Sequence, residues 1–177
     1  LQVCPTTLIW QLLPDYQKLA QEHDSKNKKV LILNAAFDRS ELRFGDKTDE
    51  ILSSISKSML KAQTENWEIK VVAHKQQDRD IEPYLDKLAV NYVSYDISGG
   101  SSDDVIGFYA QSDLVVGMRG HAQMIPFGLR RPIISIISHD KMRFFLEDIN
   151  CREWGVDVNE VNFSQKLDNL IFDVAQN

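Results

Sequence analysis

Cysteine is scarce: two of 177 residues, Cys4 and Cys151. They lie far apart, lack metal-ligand spacing and read as free thiols in a reducing compartment, so neither a disulfide scaffold nor a metal centre is expected. Cationic residues are also in the minority, with 20 Lys and Arg against 26 Asp and Glu and a formal net charge of −6. A phosphate backbone needs clustered Lys and Arg, so nucleic acid is not an expected partner. The locally basic stretch Lys26–Lys29 reads as a solvated lead-in to a strand. No apolar run has the length of a membrane span, and no basic amphipathic helix is available to lie on a membrane surface. Internal repeats and low-complexity tracts are missing as well. The opening Leu1-Gln2-Val3-Cys4-Pro5 has neither a charged n-region nor an initiator Met. It therefore reads as part of something longer, with the cytoplasm as the expected compartment.

What is present is an ordinary globular composition, 43% hydrophobic and 26% charged, with enough chain to bury a core unaided. Residues 1–27 read as a helical N-terminal segment interrupted at Pro14, followed by a polar linker over His23–Lys28. From residue 28 to 177 the pattern becomes regular. Apolar runs of strand length occur at Val30–Leu33, Ile69–Ala73, Val90–Val93, Asp113–Val116 and Pro132–Ile137. Between them stand amphipathic helical stretches, including one with Ile51, Leu52, Ile55, Met59 and Leu60 on a single stripe. Ser101 and Asp104 form a capping box for the helix that follows. About five strand–helix alternations call for an α/β fold: a doubly wound, Rossmann-like parallel sheet with helices on both faces. Ligands in such sheets bind beyond the carboxyl ends of the strands. Those loops follow Leu33, Ala73, Val116 and Ile137.

The loop after Val116 reads Gly117-Met118-Arg119-Gly120-His121-Ala122 at a helix start. Gly117 and Gly120 allow close backbone approach, the helix N-terminus favours an anion, and Arg119 carries a planar fork suited to phosphate or carboxylate. His121 is suited to proton transfer near neutral pH. The alternative is equally open at this stage: Arg119 paired with a nearby carboxylate and His121 a polar helix-start residue. Lys141, past the apolar strand, is either a second ligand cation or a solvated first-turn residue. His74, His139 and Arg39 are weaker candidates, with Arg43 behind them. The Gly99–Ser102 loop is better read as a capped, flexible turn than as a phosphate cradle.

The stretch Gln111–Gly155 resembles the C-terminal half of the polysaccharide pyruvyl transferases. The resemblance rests on Arg119-Gly120-His121-Ala122, on Gly128 and Pro132 before the next strand, and on Lys141 beyond it. The family usually has Leu where Gly120 stands, and a tighter Gly-x-Pro. The resemblance implies one half of a two-domain, GT-B-like enzyme, with an N-terminal partner domain. It also implies phosphoenolpyruvate as donor, with no further cofactor, and as acceptor a sugar of a surface polysaccharide or its precursor, which receives a ketal. His121 would then be the acid and Arg119 the anion clamp, helped by Gly117, Gly120 and Lys141. A lipid-linked acceptor would bring the enzyme to a membrane periphery. Two other readings stand beside it: a GT-B glycosyltransferase domain binding a nucleotide-sugar, and a non-catalytic domain of the same fold. An acidic ribose partner would mark the former, and Glu147 and Asp148 lie too far into their helix to serve.

Overall fold

The computed structural model describes residues 4–24 and 29–176. A 3₁₀ turn, Pro5–Leu8, leads into α1 (Ile9–Leu12) and α2 (Pro14–Asp24). There follow β1 (Lys29–Asn34), α3 (Ser40–Phe44), α4 (Thr48–Thr64), β2 (Trp67–Ala73), α5 (Glu82–Lys87) and β3 (Tyr92–Asp96). The second half contains α6 (Ser102–Ala110), β4 (Leu114–Gly117), α7 (His121–Gly128), β5 (Ile133–Ile137), α8 (Asp140–Asp148), β6 (Gly155–Asp157) and α9 (Phe163–Gln176).

The six strands form one parallel sheet in the order β3-β2-β1-β4-β5-β6. The period-2 alternation of a strand divides the core between two faces. Leu31 and Leu33 point into one cluster with α4, α5 and α9; Val30 and Ile32 point into another with α2, α6, α7 and α8. Every residue of β5 is buried, as its unbroken apolar run requires of a strand covered on both faces.

Differences from the sequence reading have local causes. β6 is three residues long, too short to show a period. α3 lies in a stretch that reads as polar loop, because Phe44 is its one buried residue and Leu42 is 84% exposed. The helix of the β4–β5 crossover begins at His121 instead of Met118. Asn34 holds the intervening turn out of the helix: its carbonyl accepts from Met118 N–H and its side-chain oxygen from Arg119 N–H.

The N-terminal helices belong to the second cluster. Ile9 and Ala20 are buried in it. His23 Nε2 lies 2.9 Å from Asp113 Oδ2, and buried Arg131 donates to the Ala20 carbonyl at 2.7 Å and pairs with Asp24. Gly128 is a packing requirement, since a Cβ there would enter the Thr6 carbonyl. Of the expected linker, residues 25–28 and most of the basic stretch lie outside the described residues. Among the described residues, no helix is long and apolar enough to cross a membrane.

Candidate active site

The strand order reverses between β1 and β4, which pair in register with Asn34 opposite Gly117. Loops leaving the two strands diverge there, and the resulting crevice is where doubly wound sheets bind ligands. Arg119, Gly120 and His121 stand at this switch point.

The Gly117 turn is built by an unusual helix. Pro126 lies inside α7 and has no N–H to give the Ala122 carbonyl. The Gln123 side chain supplies that bond at 3.0 Å and accepts one from Ser135 Oγ at 2.7 Å. Its amide then fills the space a Cβ on residue 117 would need. Gly117 is therefore explained by packing alone. Gly120 is different: a Cβ there would meet Lys141 Cε and Nζ at 3.6 and 3.7 Å. Lys141 thus leans over the start of α7 from the first turn of α8. At these ordinary contact distances its ammonium lies beside the N-cap residue of α7. No side chain caps that terminus, so its first N–H groups lack intrahelical partners and favour an anion.

Arg119 does not present an open fork. Its Nε donates to Asp78 Oδ2 at 2.7 Å, and its Nη2 bonds both Asp78 Oδ1 and, at 2.8 Å, Asp38 Oδ1. Asp78 is fully buried and also accepts from Asn34 Nδ2, His74 N–H and Lys75 N–H. The carboxylate pairing left open by the sequence is present in the structure: this guanidinium ties the loops after β1, β2 and β4 together. Burial weakens its charge, but the bonds to Asp78 and Asp38 more than compensate, so it stays protonated. Burial pushes the Asp38 carboxyl up, yet Arg119, Lys75 and Arg43 together hold it below the usual carboxylate range. Arg43 also reaches Ser138 Oγ at 3.0 Å, joining α3 to the loop after β5.

His121 is exposed at the first position of α7. With His74 it lines a cleft of about 510 Å³ whose walls are apolar: Ile9 and Leu13 from the N-terminal segment, Val105 and Ile106 from α6. His74 Nε2 lies 2.6 Å from the hydroxyl of buried Tyr109. Burial drives the His74 imidazole down to about 4; Asp78 opposes the shift, while Arg119 and His121 add to it. His74 is therefore neutral at physiological pH.

The remaining candidates separate cleanly. His139 caps α8, its Nδ1 accepting from Lys141 N–H at 3.2 Å. Arg39 is exposed with a positive φ at the start of α3. Ser101 and Asp104 form the expected box, with Ser101 Oγ accepting from Asp104 N–H at 3.2 Å. Among the described residues, no group of three or more His, Cys, Asp or Glu is arranged to hold a metal ion. Asn34, Asp38 and Asp78 went unnoticed in the sequence. Their one signal was a polar or acidic residue in the loop just beyond an apolar strand, which any solvated loop shares.

A sequence model of the polysaccharide pyruvyl transferases matches residues 1–140. The chain belongs to the polysaccharide pyruvyl transferase family. The match takes in Asp38, His74, Asp78, Arg119 and His121 and stops one residue short of Lys141. No curated protein matches the chain. Among solved structures it is similar to WaaG, a glycosyltransferase involved in lipopolysaccharide biosynthesis, with a TM-score of 0.59 at 19% identity over 99% of this chain. The chain spans 46% of that glycosyltransferase. Its fold is thus that of one half of a two-domain, GT-B enzyme.

Proposed function

We propose that this chain carries the donor site of a polysaccharide pyruvyl transferase, binding phosphoenolpyruvate beneath Lys141 and presenting it to His121. The observation that carries this reading is the meeting of Lys141 with the uncapped start of α7 over Gly120, one residue from an exposed histidine. An ammonium and a helix N-terminus favour an anion at one point. The adjacent imidazole is placed to deliver a proton.

Phosphoenolpyruvate requires such an arrangement. A proton from His121 to the methylene carbon uses the enol π electrons and leaves a cationic centre at C2, which retains its carboxylate and phosphate. An acceptor hydroxyl attacks that centre, and its proton returns to the now neutral His121. The C2–O bond to phosphate breaks with its electron pair. A second hydroxyl closes the ketal, and its proton leaves with the phosphate. Lys141 and the α7 N–H groups offset the charge on the departing phosphate, the kind of stabilisation that acts most strongly in the transition state. Arg119 does not touch the donor in this scheme; it holds the three loops in place. The apolar cleft beside His121 is the acceptor side, and a facing domain would complete it.

A nucleotide-sugar is the competing donor, given the likeness to a glycosyltransferase. It needs a free carboxylate at the carboxyl edge of the sheet for the ribose; Asp38 and Asp78 stand at that edge, but both are bonded to Arg119. Glu147 and Asp148 sit instead on the last turn of α8, where Glu147 is 3.0 Å from Arg152.

The test is calorimetric titration of the chain with phosphoenolpyruvate and, separately, a nucleotide-sugar. Saturable binding of phosphoenolpyruvate that is lost in Lys141→Ala is the expected result. Binding of the nucleotide-sugar alone would replace this reading with the glycosyltransferase one.

A further inference from the structure

Two histidines face the same cleft, and their surroundings are unlike. His121 is exposed, whereas His74 is half-buried and bonded to a side chain that solvent does not reach. That side chain is Tyr109 on α6, among the largest fully buried residues of the fold. We propose that Tyr109 is a positioning residue that fixes His74 as its Nδ1–H tautomer, so that His74 offers the ligand a neutral hydrogen-bond donor while His121 handles the proton. The inference rests on the pyruvyl-transfer reading of this site.

The argument begins with the one proton on the phenol. Its oxygen is 2.6 Å from His74 Nε2, and this is its hydrogen bond. If Nε2 carried the hydrogen and the phenol oxygen accepted it, the phenol's own O–H would be buried without an acceptor, at a cost of about 1–3 kcal/mol. The phenol therefore donates. Burial raises its ionisation far above the ordinary range, with Asp78 adding to the effect, so the proton is always there to give. An imidazole that accepts at Nε2 and is neutral must carry its hydrogen at Nδ1.

Every neighbouring group acts on the charge of His74. Asp78, which accepts from the His74 N–H, favours the imidazolium, while Arg119 and His121 disfavour it. Tyr109 supplies a donor where an imidazolium would need an acceptor. A protonated His121 thus has a neutral neighbour, and no like-charge pair opposes its loading. An Nδ1–H on this cleft-lining ring suits an oxygen of the donor carboxylate or of an acceptor hydroxyl. It is too weak an acid to protonate carbon.

The experiment is ¹⁵N–¹H correlation of the imidazole nitrogens in the chain, from about pH 5 to pH 8 where a free histidine titrates. It is run with and without phosphoenolpyruvate, for the wild type and for Tyr109→Phe. The expected wild-type signal is a neutral His74 with Nδ1–H throughout. In Tyr109→Phe the Nε2–H form appears, and the dissociation constant for phosphoenolpyruvate rises about tenfold. A wild-type His74 in the Nε2–H form, or one that becomes an imidazolium within this range, overturns the proposal without need of any variant. So does a folded Tyr109→Phe with unchanged tautomer and affinity. A fixed Nδ1–H signal with no phosphoenolpyruvate binding at all would support the tautomer assignment and instead remove the transfer reading.

Discussion

Arg119→Ala separates an anchoring guanidinium from a ligand clamp. The substitution removes the bonds from Nε and Nη2 to Asp78 and the single bond from Nη2 to Asp38. Asp38 is left with Lys75 and Arg43, so its loss is small. Asp78 is the costly partner, because none of it is exposed. Removing one member of a buried pair costs about 3–5 kcal/mol. Three donors to Asp78 remain, Asn34 Nδ2 and the His74 and Lys75 N–H groups. They place the cost at the lower end, about 3 kcal/mol. At roughly 2–4 °C per kcal/mol for a domain of this size, Tm falls by about 6–12 °C. Thermal and urea unfolding followed by circular dichroism measures this directly. Adding Asp78→Asn to Arg119→Ala removes the orphaned charge and recovers part of the loss, which a double-mutant cycle reads as coupling. A single variant less than about 1 kcal/mol below wild type, yet unable to bind phosphoenolpyruvate, would refute the anchoring argument and return the fork to the ligand.

Three other expectations follow from the same geometry. His74 is held below its unfolded value, so the folded protein binds fewer protons and loses stability as pH falls from about 6.5 towards 4. That loss is on the order of 3 kcal/mol and should disappear from the acid limb in His74→Gln; identical limbs would show that His74 is not the titrating group. Lys141 is exposed, so Lys141→Ala should leave Tm within about 1 °C. Its donor affinity should nevertheless drop by about 1.5–3 kcal/mol, and equal affinity by calorimetry would exclude Lys141 from the site. Gly128→Ala pushes a methyl into the Thr6 backbone and should cost about 1–3 kcal/mol. Protease cleavage within residues 4–24 should rise as the segment lifts; an unchanged cleavage rate would mean that the segment is held elsewhere.

Much of the fold was legible because its signals are local and repeated. The strand at Ile133–Ile137 and the stripe of α4 each show their period within a dozen residues, and alternation of strands with helices admits few topologies. The Arg119-Gly120-His121 turn was legible because a glycine-bearing helix start after an apolar strand has a direct physical meaning. Elements of three to five residues, β6 and α3, carried no period to read.

By itself the sequence determined an α/β sheet, and His121 and Lys141 as groups at its carboxyl edge. Tertiary structure alone decided the company they keep. Asp38, Asp78 and Arg119 come from three loops, and their ion pairs depend on where β1, β2 and β4 end side by side. His74 and Tyr109 are 35 residues apart and meet only because α6 returns across the sheet. A pattern along the chain reports which face a residue takes; the partner waiting on that face is set by how the strands are ordered, and so is the choice between a free cation and a buried anchor.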